Sequence, residues 1–234
     1  MVRGIRIWRG RSWLWKLAVA LFMLLILGPV AMLLIFRALP IPGTPQMLLS
    51  LIEGKGAHYA WRDDISPRLA RAVIAAEDQN FCTHHGFDWA AIDKAVEEHR
   101  RHPNKPARGA STISQQAART VFLVPLRSWV RKGLEAGLTV EMEFLWPKKR
   151  IMTAYLNTVD WGDGIFGAQA AAQQYFGTDA ADLTTAQAAR LAAILPNPHK
   201  WKAAHPGRYV ASRTHLLQGR SVMVTRDRLN FCVQ

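Results

Sequence analysis

The sequence contains little cysteine: Cys82 and Cys232 are the only two among its 234 residues. Two cysteines are too few for a disulfide framework or for a four-cysteine zinc site. The sequence also has no Gly-x-x-x-x-Gly-Lys-Ser/Thr phosphate loop, no His-Glu-x-x-His zinc motif and no internal repeat with a period of about 20–50 residues. These absences argue against P-loop nucleotide hydrolases, zinc metalloproteases of that type and repeat proteins.

Acidic residues are also scarce, since 17 Asp and Glu stand against 30 Lys and Arg and give a net charge of +13. Half of the residues are hydrophobic and a fifth are charged, which excludes a disordered or collagen-like chain. The basic balance favours an anionic partner, such as a nucleic acid, a membrane surface or a phosphorylated substrate.

One long uncharged run, Leu17 to Phe36, covers twenty residues near the N-terminus. A helix of this length spans about 30 Å, the hydrocarbon thickness of a bilayer. The five charged residues before the run are all basic, so the positive-inside rule predicts a cytoplasmic N-terminus. A cleaved signal peptide is the alternative, but its apolar core is normally about 7–15 residues long. Residues 37–234 keep a net charge of +8, and beyond a membrane this favours lipid phosphates over nucleic acid as the partner.

After a proline-rich juxtamembrane stretch, the apolar residues recur with helical spacing almost throughout. No segment alternates convincingly with period two, so any sheet is expected to be minor. Thr112 and Gln115 have the spacing of a capping box at the start of a helix. The predicted helices cover residues 67–78, 88–101, 112–123, 128–146, 148–157 and 184–195, and one more follows the glycine-rich turn at 162–167 and ends at 176.

Two adjacent acids, Glu77 and Asp78, end the first of these predicted helices. A carboxylate at a helix C-terminus meets the negative end of the helix dipole, and apolar neighbours raise its pKa further. A raised pKa suits a general base or acid. The alternative is a solvent-exposed pair without function. His84 and His85 follow closely, and taken alone they are more often packing or capping residues than ligands.

A second cluster, from Arg108 to Arg119, places hydroxyl groups and backbone N–H groups at a predicted helix start. Such a helix end binds anions. Two amides, Gln115 and Gln116, and the guanidinium of Arg119 follow one turn later. An ordinary capped helix with a solvated face explains the same residues, so this segment alone does not decide between the two.

The predicted helix 128–146 has two faces when its residues are spaced at about 100°. One broad arc is apolar and includes Trp129, Leu138 and Phe144. A stripe that mixes acids and bases is more often a solvated face than a site. That stripe contains Arg131, Lys132, Glu135, Thr139 and Glu143. Glu141 falls inside the apolar arc, and the pattern offers no account of it.

Together these segments resemble the glycosyltransferase family 51 domain, the peptidoglycan glycosyltransferases, and in particular its monofunctional, membrane-anchored branch. The resemblance runs from about Trp61 to Pro198 in the same order and spacing. Five motifs in the same order are far more specific than one. They favour a functional site over an exposed acid pair, an ordinary capped helix and a solvated helix face. They are Glu77-Asp78-x-x-Phe81-x-x-His84-x-Gly86-x-Asp88; Gly109-x-Ser111-Thr112-Ile113-x-Gln115-Gln116; Arg131-Lys132-x-x-Glu135 followed by Glu143; Tyr155-Leu156-Asn157; and Gly162-x-Gly164 leading to Ala171-Ala172-x-x-Tyr175-Phe176.

The resemblance implies a mostly α-helical fold, with a lysozyme-like lobe, a smaller membrane-facing lobe and one N-terminal transmembrane helix. It implies that the protein polymerises lipid II into β-1,4-linked glycan strands on the periplasmic face of the bacterial inner membrane. The implied partners are lipid II, the growing lipid-linked glycan chain, the membrane, and proteins of cell-wall synthesis and division, but no nucleic acid. The chain then divides into a cytoplasmic segment (1–16), a transmembrane helix (17–36), a juxtamembrane segment (37–60), the glycosyltransferase domain (61–205) and a C-terminal tail (206–234).

The resemblance also implies roles for individual residues. Glu77 matches the family's general base, and Glu143 matches its second acid, which assists at the leaving pyrophosphate. A divalent cation, Mg²⁺ or Mn²⁺, is a candidate helper there, and no organic cofactor is expected. Cations and N–H donors stabilise a departing pyrophosphate, and Arg119, Arg127, Lys132 and the Ser111–Thr112 helix end can supply them. The other matched positions are expected to bind substrate: Asp78, Phe81, His84, Gln115, Gln116, Arg131, Glu135 and Asn157.

The sequence departs from the family pattern at Arg119-Thr120, where Lys followed by Asn is usual, and the resemblance fades beyond about Pro206. Arginine keeps the charge but changes the donor geometry. The Ser-x-x-Lys and Lys-Thr-Gly motifs of a transpeptidase are absent, so no crosslinking activity is expected. We expect no disulfide between Cys82 and Cys232, although the compartment is oxidising, because most members of the family manage without one.

Two other classes of function stay open. A hydrolase on the same helical scaffold would use Glu77 as an acid, although the paired glutamines and the cations argue for a lipid-linked donor. A non-catalytic scaffold of the wall-building machinery is the second alternative, and the matched acids argue against it.

Overall fold

A computed structural model describes residues 5–104, 109–126 and 128–234. These residues fall into two compact units, divided between Leu39 and Pro40. The first unit consists of helix α1 (Ile5–Phe22), a π-helical segment (Met23–Leu27) and helix α2 (Gly28–Phe36). In the part of the chain that the structure describes, no helix combines the length and the hydrophobicity that crossing a bilayer requires.

The second unit is mostly helical, as predicted, and has one small sheet. Strands β1 (His58–Tyr59) and β2 (Ile165–Phe166) run parallel, with His58 beside Ile165. The helices are α3 (Pro45–Ile52), α4 (Pro67–Glu77), α5 (Trp89–Arg101), α6 (Ile113–Phe122), α7 (Trp129–Leu145), α8 (Lys148–Thr158), α9 (Gly167–Phe176), α10 (Thr185–Ile194) and α11 (Arg208–Arg226).

Local capping explains where several helices begin. The predicted capping box of α6 is confirmed, because the Thr112 hydroxyl accepts from the Gln115 N–H and the Gln115 side chain accepts from the Thr112 N–H. The side chains of Asp88 and Ser128 each accept a hydrogen bond from one backbone N–H at the starts of α5 and α7. Each such cap contributes about 0.5–2 kcal/mol to stability.

The core forms where the helices pack in two groups: α8 lies against α6, α7 and α9, and α4 lies against α10 and α11. Fully buried Tyr155, Ile151 and Ile113 fill the space between α6 and α8. Gly167 has φ +80°, and a Cβ atom there would lie 2.3 Å from the carbonyl oxygen of Asn157. Only glycine therefore allows the start of α9 to approach α8 so closely.

The C-terminal residues belong to this packed unit. Helix α11 packs against α4 and α10, and a short 3₁₀ helix, Phe231–Val233, follows it. Cys232 in that last turn forms a disulfide with Cys82, with Cα atoms 5.5 Å apart. The expectation of no disulfide is therefore wrong. It failed because the pairing depends on α11, which returns the C-terminus to the segment that follows α4.

Helix α7 buries part of its polar stripe and exposes part of its apolar arc, although Leu138 of that arc is buried. Glu135 and Thr139 of the polar stripe are buried, at 1% and 0% exposure, whereas Trp129 and Phe144 of the apolar arc are 92% and 88% exposed. The interpretation of the stripe as a solvated face is wrong because its charged groups find partners on α7 itself and on neighbouring elements.

Candidate active site

Glu77 is the last residue of α4, and it lines a cavity of about 490 Å³. The apolar residues of α4, among them Val73 and Ile74, are buried in the core. The Glu77 carboxylate, at the end of this helix, therefore lies at the edge of the core. Asp78, Ser111 and Thr112 of the predicted set line the same cavity. The structure therefore brings the first two predicted clusters together.

The Glu77 carboxyl is half-buried, and its Oε2 atom accepts a hydrogen bond from Nε2 of Gln116 at 3.1 Å. Burial raises the pKa of Glu77 above its ordinary value. The Gln116 hydrogen bond and the positive charges of Arg213 and Arg119 lower that pKa in part, whereas the negative charge of Asp78 raises it. A carboxylate with a raised pKa that stays hydrogen-bonded in its charged form is suited to accept a proton.

Asp78 connects three parts of the site. Its buried carboxylate contacts Nε2 of His84 at 2.9 Å and accepts a hydrogen bond from the backbone N–H of Ile113 at 2.9 Å. The C-terminus of α4, the segment after it and the start of α6 are thus joined through one side chain. Asp78, the residue after Glu77, therefore connects the end of α4 to both neighbouring segments.

The start of α6 is tied to the same segment from the other side. The Thr112 hydroxyl donates to the carbonyl oxygen of Gly86 at 2.6 Å. Gly86 has φ +90°, and a Cβ atom there would lie 2.9 Å from Thr139 Cγ2 and 3.2 Å from Glu143 Cγ, so this contact requires glycine. The hydroxyl of Ser111 is buried without a hydrogen-bond partner among the described residues.

Glu143 holds a second set of polar groups. Its Oε1 atom accepts hydrogen bonds from the Ser114 hydroxyl and from Nζ of Lys148, the latter at 2.6 Å. Both charged side chains are largely buried, at 7% and 14% exposure. The Lys148 ammonium also lies 4.6 Å from the centre of the Phe81 ring. The predicted second acid is therefore part of an ion pair at the site.

Arg131 and Lys132 both pair with the buried carboxylate of Glu135, and Arg131 does so at 2.5 Å. Lys132 was predicted to contact pyrophosphate. In the structure its ammonium pairs with Glu135, because a buried carboxylate requires a charged or hydrogen-bonding partner. Contact with pyrophosphate stays a prediction for Lys132. Arg119 differs, since its half-buried guanidinium has no hydrogen-bond or ion-pair partner among the residues described.

Three predicted substrate-binding residues have structural roles. The fully buried amide of Asn157 bonds with the backbone N–H and carbonyl of Arg62, each at 2.8 Å. Gln115 is used in the capping box of α6, and Phe81 is 0% exposed. Their hydrogen bonds or packing are satisfied within the protein, and contact with substrate stays a prediction for all three. Arg127 lies outside the described residues.

Several residues near these acids were missed by the sequence reasoning. The positive charge of Arg213 on α11 lowers the pKa of Glu77, and the Arg213 Nε atom is buried without a hydrogen-bond partner among the described residues. Arg220, seven residues later on α11, lines the cavity. Lys94 of α5 lines the cavity too. The seven-residue spacing of Arg213 and Arg220 places both on one edge of α11, which was the available signal.

A metal site of protein ligands does not occur in the described part of the chain, where no three His, Cys, Asp or Glu residues lie close enough together to hold an ion. Glu143, the residue expected to sit beside a cation, already pairs with Lys148. The side chains present therefore do not by themselves fit a resident Mg²⁺ or Mn²⁺, and no step below depends on one.

Comparison with known proteins gives a consistent result. The sequence model of the family described as Transglycosylase matches residues 46–221. The chain is 52% identical over 225 residues to the biosynthetic peptidoglycan transglycosylase of Caulobacter vibrioides, which covers 95% of this chain and 97% of that protein. It is 47% identical over 207 residues to the protein of the same name from Rhodospirillum centenum, which covers 87% and 89% of the two chains. An Escherichia coli protein of that name is 57% identical over 159 residues, which is 67% of this chain and 65% of that protein.

Proposed function

This chain belongs to the transglycosylase family, and we infer that it is a peptidoglycan glycosyltransferase, which polymerises lipid II into glycan strands and has no transpeptidase activity. The observation that carries this function is the half-buried Glu77 carboxylate, which lines a cavity inside the matched region 46–221. The absence of transpeptidase motifs agrees with a monofunctional enzyme.

The chemistry follows from the demands of the reaction. A sugar hydroxyl is a weak nucleophile, so its proton must be removed as it attacks. In the proposal, the 4-hydroxyl of the acceptor sugar gives its proton to Glu77 while its oxygen forms the new bond to the donor's anomeric carbon. The bond between that carbon and the pyrophosphate oxygen breaks, the electron pair leaves with the polyprenyl pyrophosphate, and the configuration is inverted.

The departing pyrophosphate needs positive charge that is already in place. The uncommitted guanidinium of Arg119 and the unpartnered hydroxyl of Ser111 at the start of α6 can contact it. Glu143 orients the Lys148 ammonium through their ion pair, and we assign this pair to the leaving group. Arg127, a basic residue between the second and third motifs in the sequence, is retained in this set.

Incubation of the purified full-length protein with labelled lipid II, followed by sizing of the glycan, tests this function. We expect long glycan strands from the wild type and none from Glu77→Gln. A protein that releases fragments from finished glycan and makes no polymer would be a lytic hydrolase. A protein with neither activity, yet a normal fold, would be a scaffold.

For location, we propose residues 17–36 as a single-pass anchor in the inner membrane, with the N-terminus in the cytoplasm and the catalytic unit in the periplasm. The uncharged run and its basic flank support this.

In the catalytic unit, Trp129, Val130 and Phe144 of α7 are exposed apolar residues next to basic ones, as suits a surface that meets lipid. A reporter that is active only outside the cytoplasm, fused after Gln234, should be active; a stable but inactive fusion would reverse the topology.

A further inference from the structure

Tyr155 of α8 is fully buried, yet it carries a hydroxyl group. A buried tyrosine hydroxyl normally has a hydrogen-bond partner. Here the hydroxyl donates to Oε1 of Gln116 at 3.1 Å, and it has no other hydrogen-bond partner in the described chain. Burial, and then the negative charge of Glu77, raises the pKa of Tyr155 well above its ordinary value. The phenol therefore stays protonated and remains a donor over the whole working range of pH.

Gln116 is bonded at both ends of its side-chain amide. Its Nε2 atom donates to Oε2 of Glu77 at 3.1 Å and points to the carbonyl oxygen of Ser111 at 3.5 Å. Its Oε1 atom accepts from Tyr155. Turning the amide over would bring Oε1 against two acceptor oxygens and would leave the Tyr155 proton without an acceptor. Both consequences are costly for buried polar groups.

We propose that Tyr155 is a positioning residue of the polymerisation reaction: its hydroxyl fixes the Gln116 amide in the one orientation that donates to the Glu77 carboxylate. This inference rests on the proposed function, because it assigns Tyr155 a place in the action of the proposed base. Tyr155 does not contact the cavity and acts only through Gln116.

The orientation matters at the moment of proton transfer. When Glu77 has received the proton it becomes a donor itself, and a turned Gln116 would then stabilise the protonated, inactive form. Tyr155 opposes that turn. The other groups that face Glu77 are Arg119 on α6, Arg213 on α11 and Asp78 beside it. Among the described residues, none of these three forms a hydrogen bond with the Gln116 amide, so the effect of Tyr155 on the base is separable from theirs.

The experiment measures polymerisation of lipid II against pH for the full-length wild type and for Tyr155→Phe. Removing the donor should lower kcat about 5- to 100-fold, as expected when a buried acceptor loses its partner, and should move the acid limb of the profile to higher pH. KM should change less than kcat. The matched control is Tyr175→Phe, which removes a hydroxyl bonded at 2.8 Å to the Trp161 carbonyl; its profile should match the wild type.

A double-mutant cycle separates positioning from general damage to the fold. In a Gln116→Met background, Tyr155→Phe should have no further effect on the acid limb, because the amide it orients is gone. Effects that multiply independently would overturn the proposal, as would an unchanged kcat and acid limb in Tyr155→Phe.

If Tyr155→Phe does not fold, Tyr155 can be replaced with 3-fluorotyrosine, which keeps the packing and strengthens the hydrogen-bond donor. The acid limb of the pH–rate profile should then move to lower pH. An unmoved acid limb overturns the proposal.

A second measurement does not require turnover. The ¹³C shift of the Glu77 carboxyl, assigned by comparison with Glu77→Gln, reports its titration directly. Its midpoint should rise in Tyr155→Phe and stay in place in Tyr175→Phe; an equal midpoint in all three proteins refutes the positioning role. A wild type that fails to polymerise lipid II would refute the proposed function, whereas this titration would still decide the role of Tyr155.

Discussion

Glu77 and Glu143 are held by side chains of one helix: Gln116 of α6 donates to Glu77 at 3.1 Å, and Ser114, two residues earlier, donates to Glu143. The start of that helix is itself tied to Asp78 through the Ile113 N–H. A displacement of α6 would therefore move the partners of both acids together. This shared support explains why the Gly-x-Ser-Thr segment accompanies the Glu-Asp pair in one site.

Glu77→Gln should reduce polymerisation of lipid II by about 10²–10⁴-fold, the range for loss of a general base. The substitution keeps size and hydrogen-bonding capacity, so circular dichroism and the thermal midpoint should stay close to the wild type. The rate should also lose the limb that rises with pH through the Glu77 pKa. A near wild-type rate in this variant would mean that another group, or none, activates the hydroxyl.

Arg213→Gln should shift the acid limb of the rate to higher pH. The positive charge of Arg213 lowers the raised pKa of Glu77, so its removal leaves the base protonated over a wider range. Arg208→Gln is the matched control, because Arg208 is exposed on the same helix. Identical profiles for both variants would show that Arg213 does not act on Glu77.

We expect Arg119→Gln to weaken lipid II binding and Lys132→Met to lower stability. Arg119 has no described partner, so its replacement should weaken lipid II binding by about 1.5–3 kcal/mol and leave the thermal midpoint unchanged. Lys132 neutralises the buried Glu135, so its replacement should cost about 1–3 kcal/mol of stability. Binding assays and thermal melts on both variants check this, and the reverse pattern would contradict it.

Glu141→Gln should leave polymerisation nearly unchanged and should stabilise the protein at neutral pH. Burial raises the pKa of Glu141 in the folded state, and its Oε2 atom is buried without a described partner. Folding therefore favours the protonated form, and stability falls as the pH rises through that pKa. Below the unfolded value of about 4.3 the gain should vanish. Melts at two pH values measure it, and an equal gain at both would exclude this cause.

Reduction of the Cys82–Cys232 disulfide should destabilise the fold by about 2–5 kcal/mol, because it closes a loop of 150 residues. Cys232→Ser should lower the thermal midpoint to the same extent. Mass analysis without reductant, on protein from an oxidising compartment, checks the linkage itself. Two free thiols in that sample would contradict the structure.

The local parts of the fold could be predicted from the sequence because they depend on neighbouring residues. Apolar spacing predicted helices that begin at residues 88, 112 and 128, and a capping box was predicted at Thr112. The structure confirms that box and shows Asp88 and Ser128 capping α5 and α7. The order and spacing of five motifs identified the family, and the comparisons confirmed it. Motif spacing also selected Glu77 and Asp78, which the structure places at the same cavity.

Only the tertiary structure decided which charges are free and which are used within the protein. Lys132 and Glu135 are neighbours on α7, but the burial of Glu135 and the pairing of Glu143 with Lys148 of α8 depend on how α7 packs. This packing buried a stripe that alone resembles a solvated face. Three further interactions join residues that are far apart in the chain: the charge of Arg213 with Glu77, the disulfide of Cys232 with Cys82, and the hydrogen bond from Tyr155 to Gln116. Residue spacing reports only on neighbours along one helix, whereas the charge and orientation of Glu77 depend on contacts from α6, α8 and α11.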